Sequence, residues 1–353
     1  MAWTAENPLP AASWGLAAAV CEAPGSQSGQ WIYAVGGTNG SNVLAALAGY
    51  DTVQKKWSVL PSMPTARSGV AAATSPGRIH VLGGFDNNSD VLATHEVYEP
   101  ATNAWSTAAP LPSARGILAA VTGPDGLIYA IGGYDDHNPL ATVDAYDPAT
   151  DKWTAKASMQ SPRTWHAAVV GHDGLIYAIG GGTPSMLSSV ETFNVTTNTW
   201  TTSSFSLPVA TCGLAAAVDP NGFICIFGGD TAPTAGPAAN VYCYIPADPG
   251  WLTQPPMSSA CGALAAATGP DGLIYAIGGG DSTGPLATVA AFTADKCYPI
   301  EQKVAEVQST LSNAQGNLAD IPPQDRAAAE KQIIALGLEL KGLEAELKTC
   351  QGG

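Results

Sequence analysis

Residues 127–153 read LIYAIGGYDDHNPLATVDAYDPATDKW. An apolar, β-branched run ends in Gly132-Gly133, polar turn residues follow, and a second β-rich run places Tyr146 seven positions before Trp153. Strand-forming residues bounded by Gly, Pro, Asn and Asp are the mark of short antiparallel strands joined by tight turns. The same unit recurs along the chain. WIYAVGG, RIHVLGG, LIYAIGG (twice more) and FICIFGG carry Gly-Gly pairs beginning at Gly36, Gly83, Gly180, Gly228 and Gly278, so with Gly132 there are six copies 47 to 50 residues apart. Five copies carry an aromatic residue and a Trp seven positions later: Tyr50 and Trp57, Tyr98 and Trp105, Tyr146 and Trp153, Phe193 and Trp200, Tyr244 and Trp251. The sixth has Phe292 and no following Trp. A period of this length is the signature of a repeat architecture in which one supersecondary unit cannot bury both faces alone.

Over residues 1–296 this pattern resembles the kelch family, whose repeat is a double glycine followed by a spaced Tyr and Trp. The resemblance implies an all-β, six-bladed kelch β-propeller with four antiparallel strands per blade. The aromatic couples are then structural fillers between blades. Trp3 precedes Gly36 by 33 residues against 26 to 28 for the internal Trp residues, and the turn insertion PGSQSGQ (residues 24–30) accounts for the excess. Residues 2–10 therefore take the place of an outermost strand with no blade of its own in front. They are expected to complete blade six beside the strand around residues 288–292, closing the ring without an open edge.

After Cys297 the pattern changes. Ile300, Val304, Val307, Leu311, Ala314 and Leu318 follow steps of four and three, and Ala329, Ile333, Leu336, Leu340, Leu343 and Leu347 repeat them after a break at residues 320–323. That is a coiled-coil seam. Two domains are expected: the propeller over 1–296, and an antiparallel helical hairpin over 297–353 that docks or forms homo-oligomers. Cys297 and Cys350 fall at the open base of the hairpin, either bonded or reduced.

The formal charge is −15, with 14 basic residues against 29 acidic ones. No stretch is basic enough for a nucleic-acid partner or an anionic membrane surface. No apolar run spans a bilayer, and the N-terminus lacks a signal-peptide layout. A soluble, cytoplasmic protein is expected, or a secreted one if a leader has been removed. The odd count of seven cysteines favours a reducing compartment. Cys225 replaces a strand Tyr and is expected to pack.

In a blade of this kind the inter-blade loops and the loops after Gly-Gly share one face with the mouth of the central channel. Aligning the first strands on Leu16, Val70, Leu118, His166, Leu214 and Leu264 yields a column three positions earlier: Ser13, Arg67, Arg115, Arg163, Thr211 and Cys261. Three of the propeller's four arginines thus share a column on consecutive blades. They form a cationic arc suited to a carboxylate, or they fasten inter-blade carbonyls. The kelch resemblance implies two uses of this face: kelch adaptors of ubiquitin ligases grip acidic peptides with such arginines, and bacterial sialic acid mutarotases bind sugar acids there. Trp14, Tyr134, Trp165 and Asp230 are expected beside the arginines as ligand-binding residues, with Phe85, Asp86, Asp135 and Asp281 nearby. His166 stands where other blades carry Leu or Val, as a candidate acid or base or as a core histidine.

Asp135, Asp136 and His137 are ordinary turn residues, and Cys212 and Cys261 lack metal-ligand spacing, so no metal or other cofactor is expected. The copper set of galactose-oxidase-type kelch enzymes and the iron motif of specifier-type ones have no counterpart here. Nor is there a nucleotide-binding glycine loop, since GGFDNN and its relatives are repeat turns. The leading expectation is a binding module that presents the loop face to an anionic small molecule, a sugar or an acidic peptide or protein. The alternatives are a mutarotase-like isomerase acting on a sugar acid, and an assembly protein that oligomerises through its hairpin.

Overall fold

The computed structural model describes residues 3–25, 29–231, 236–245, 248–295, 297–318, 321 and 323–351. Six four-stranded antiparallel sheets make the blades of a propeller. Blades 1 to 5 span residues 17–59, 71–107, 119–156, 167–206 and 215–253. Blade 6 takes three strands from residues 265–292 and its fourth from Trp3–Ala5. The register of that clasp is Trp3 opposite Phe292, Thr4 opposite Ala291 and Ala5 opposite Ala290.

The aromatic couples explain the repeat. In blades 1 to 4 the third-strand aromatic faces the fourth-strand Trp across the ladder, as Tyr146 faces Trp153. Ring centroids lie 4.9 to 5.5 Å apart in blades 1 to 5. The composite pair Trp3–Phe292 reproduces the arrangement at 4.8 Å. Four of the indoles also donate to a backbone carbonyl of the preceding blade: Trp57 to Asn7, Trp105 to Pro61, Trp153 to Ala109 and Trp200 to Ala157, at 2.8 to 2.9 Å. Apolar area and one satisfied polar group thus strap neighbouring blades together.

The Gly-Gly pairs have a steric cause. The second glycine donates its N–H to a carbonyl at the entry of the next blade, Gly84 to Arg115 and Gly133 to Arg163 among them. A Cβ on the first glycine would strike that carbonyl, at 2.2 Å for Gly83 against Arg115 O. Both glycines also hold positive φ, which a side chain would strain. The last of these bonds, from Gly279 to Ser13 O, closes the belt through the N-terminal segment.

Cys225 and Cys243 stand opposite each other in blade 5 and form a disulfide. This corrects the expectation that Cys225 merely packs: the third strand places a second cysteine directly across from it.

Residues 252–255 and 295–353 form a separate compact unit. It contains α1 (Tyr298–Asn317) and α2 (Pro323–Gln351), paired as a hairpin. Val304 and Val307 of the seam are buried. The base is held by the disulfide Cys297–Cys350 and by Gln351 donating to Glu301. Among the described residues no helix is long and apolar enough to cross a membrane.

Candidate functional site

The inter-blade loops converge on the channel through one position per blade: Gly15, Gly69, Ile117, Trp165, Gly213 and Ala263. Each donates its backbone N–H to the carbonyl of the equivalent residue one blade back. The bonds run Gly69 to Gly15, Ile117 to Gly69, Trp165 to Ile117, Gly213 to Trp165, Ala263 to Gly213 and Gly15 to Ala263, at 2.7 to 3.1 Å. The six bonds close into a ring. All six residues hold φ between 47° and 66°. Glycine suits that conformation, whereas at Ile117, Trp165 and Ala263 it costs about 1 kcal/mol or more each. The closed ring of bonds holds them there.

Above this collar lies a bowl of about 520 Å³, walled by Trp14, Phe85, Ile117 and Trp165 and carrying Asp230 and Asp281 as its charged groups. Below it a cavity of about 90 Å³ is lined by the collar and the residues that follow it, His166 among them. Trp165 reaches across the mouth: its Cη2 lies 4.0 Å from where a Cβ on Gly15, on the opposite blade, would sit. Trp14 and Trp165 are each 37% exposed, high for indoles inside a concavity.

Glycines let the aromatic walls lie flat. Phe85 covers Gly116, where an added Cβ would stand 2.2 Å from the ring, and Trp14 covers Gly280 with the same clearance. Gly280 and Gly262 are bridged across blade 6. A Cβ on Gly262 would meet Asp230 Oδ2 at 3.3 Å. Trp14 and Asp230, from the two blades flanking blade 6, therefore lean from opposite sides over one side-chain-free patch.

The three arginines are elsewhere, which corrects the expected cationic arc. Arg67, Arg115 and Arg163 are at most 1% exposed. Each turns into its own blade and meets a carboxylate of the third strand: Glu96 at 2.9 Å, Asp144 at 2.7 Å and Glu191 at 2.9 Å. Arg163 also donates to Gly180 O and Ser189 O, and Arg67 to Gly83 O. Glu191 is used further, accepting from the N–H groups of Gln160 and Ser161. Neutralised and enclosed, these guanidiniums brace the blades and present no charge to the loop face.

His166 does not reach the bowl. It fills the slot occupied elsewhere by leucine or valine, with Cε1 packed toward Gly132, and both ring nitrogens are buried without a hydrogen-bond partner among the described residues. Burial, with Arg163 nearby, pushes its pKa down to about 3, so the ring is neutral near pH 7. Tyr134 lies outside the lining and donates to Asp136 O. Asp86 and Asp135 are spent on N–H groups of their own loops, and Asp281 accepts from both the N–H and the hydroxyl of Thr283. Thr283 in particular holds the Asp281 carboxyl low. Among the described residues no donor reaches the Asp230 carboxylate, and partial burial pushes its pKa up. Of the expected ligand-binding residues, then, Trp14, Trp165 and Asp230 meet in the bowl. The collar and the glycine patch escaped sequence reading, although the pairing of a loop aromatic with a glycine on the adjacent blade was visible.

Six four-stranded blades closed into a ring, with an aromatic bowl at the channel mouth, define a β-propeller. A family model for the KLHDC2/KLHL20/DRC7 kelch-repeats domain matches residues 17–229, and the chain belongs to the kelch-repeat family. Kelch propellers generally serve as protein-binding modules. The solved structure of YjhT is similar in fold, with a TM-score of 0.70 at 17% identity, covering 82% of this chain and 97% of that one. No curated protein matches the sequence significantly.

Proposed function

We propose that the protein is a binding module that receives a segment of a partner protein in the bowl at the channel mouth. The observation that carries this reading is the floor. Six collar N–H groups and six carbonyls satisfy one another, so an apolar group can settle on them without stranding a polar atom. Two half-exposed indoles and Phe85 supply the wall, the kind of concave aromatic surface in which interface hot spots form. The anionic-ligand reading loses its cations to the blade interiors, and the sugar-acid isomerase reading loses its proton carrier, because His166 lies below the collar.

The test is a linear-peptide library, with binders measured by titration calorimetry against the native protein and Trp165→Ala. Binders that use the bowl lose about tenfold or more in affinity on losing an indole anchor. Binders unaffected by both Trp165→Ala and Trp14→Ala would place the binding surface elsewhere.

A second reading rests on the hairpin. Ile334 and Leu338, one turn apart on α2, are 63% and 66% exposed. An apolar pair on a helix surface suits self-association. Sedimentation of the native chain beside the Ile334→Glu, Leu338→Glu double variant checks it: a monomeric native protein ends that reading.

A further inference from the structure

We propose that the patch on blade 6 between Trp14 and Asp230 is a subsite for a lysine side chain of the partner protein. The inference rests on the bowl being the binding site and adds the chemistry of what enters it. Three observations on blades 5, 6 and 1 converge. The floor, Gly262 and Gly280, is free of side chains, and their own N–H and carbonyl groups are bridged to each other at 2.9 Å. One edge is the indole of Trp14, lying on Gly280 and 37% exposed. The other edge is the carboxylate of Asp230, half-buried, over Gly262, and without a donor among the described residues.

An aliphatic stem can run over the glycines with its ammonium at the carboxylate and its terminal methylenes against the indole. Cation–π attraction and a charge-assisted hydrogen bond then act on one group. Among the described residues no basic side chain lines the bowl to compete: the arginines nearest in sequence to the bowl loops, Arg67, Arg115 and Arg163, are spent on Glu96, Asp144 and Glu191. The propeller's acidic balance draws the same kind of segment from solution. A neutral apolar side chain would cover Asp230 and leave a dehydrated carboxylate unpaired, which is costly. An acidic one would meet two aspartates. The bowl thereby selects by charge as well as by shape.

The experiment titrates the full chain with acetyl-Gly-Gly-X-Gly-Gly-amide peptides, X being Lys, acetyl-Lys or Glu, while following the indole N–H resonances by NMR. The Lys peptide is expected to shift the Trp14 resonance, the Glu peptide to leave it in place, and the acetyl-Lys peptide to bind about tenfold more weakly or worse. Asp230→Asn, which removes no hydrogen bond of the fold, is expected to weaken the Lys peptide by about tenfold and to leave the acetyl-Lys peptide within about twofold. Trp14→Leu should weaken the Lys peptide by a smaller factor. Equal binding of the Lys and acetyl-Lys peptides, or an Asp230→Asn variant that binds Lys as well as the native protein, overturns the subsite. So does the absence of any Trp14 shift with the Lys peptide. A n-butylammonium ion that binds as tightly as the Lys peptide overturns the protein source in favour of small amines. Library binders that need Trp165 and carry no basic residue sink this inference while leaving the bowl as the binding site.

Discussion

Blades 2 to 4 and blades 5, 6 and 1 are built on one repeat yet solve the same structural problem differently. In the first sector an arginine enters each blade and is stapled to a third-strand carboxylate, pairing Arg67 with Glu96, Arg115 with Asp144 and Arg163 with Glu191. In the second sector the arginine positions hold Thr211, Cys261 and Ser13, and the carboxylate positions of the third strand hold Tyr242, Ala290 and Ala48. That sector is closed instead by the N-terminal strand and carries the glycine patch, Trp14 and Asp230. The contrast teaches that one sector buries guanidiniums to brace its blades, while the other leaves the Asp230 carboxylate without a donor among the described residues at the open bowl.

Removing residues 1–9 should have the largest effect, because it strips blade 6 of its outer strand, the Trp3–Phe292 contact and the buried Leu9 together. A loss on the order of 5 kcal/mol or more in denaturant unfolding is expected. An unchanged midpoint would mean that the second sector does not depend on its clasp. Next comes the staple. Arg163→Ala leaves Glu191 buried without its guanidinium and should cost about 3–5 kcal/mol. Thr211→Ala, at the same column in blade 5, should cost about 1 kcal/mol or less. Equal costs would erase the distinction between the sectors.

The histidines give the comparison a pH dependence. In blade 2 Ser75 donates to His80, and His80 and His95 are joined at 2.9 Å, with the other nitrogen of His95 bonded to Ala109 O. Burial pushes His80 down to about 3 and His95 to about 4, and His166 of blade 4 likewise to about 3. All three are neutral in the fold and titrate near 6.5 when unfolded. The stability they contribute is therefore complete above pH 6.5 and drains away as pH falls toward about 3. His166→Leu should add about 1–3 kcal/mol at neutral pH, since two unpartnered nitrogens leave the core, and a larger gain as pH falls, because it flattens part of that slope. A steeper acid slope in this variant would refute the assignment. The smallest effect belongs to the collar: Ala263→Gly relieves a positive φ and should change stability by no more than about 1 kcal/mol, in the stabilising direction.

The ring was legible because its determinants are residue types at fixed spacing. Gly-Gly is demanded by positive φ and a carbonyl in the way, the aromatic couples by the wedge between blades, and the displaced Trp3 completes a couple that otherwise lacks a member. The arginine column is legible but its orientation is not, because the first strands alone do not show the carboxylates that draw the guanidiniums inward. A carboxylate stands 28 or 29 residues downstream of each one, and at the matching position of the other three blades none does. The third strands carry the marks of both the staples and the Cys225–Cys243 bond. The collar leaves no such mark. Its conformation is the same at Gly69 and at Trp165, because ring closure imposes it regardless of side chain.

The collar also sets the electrostatics of the bowl. Consecutive positive-φ N–H groups elsewhere gather into a nest that draws anions. Here six peptide dipoles chase one another head to tail around a circle, so their in-plane components cancel. The backbone contributes a floor whose collar N–H groups and carbonyls are already paired with one another. The charge at that surface comes from side chains, so the exchange of a single residue, such as Asp230, changes the charge that the bowl presents.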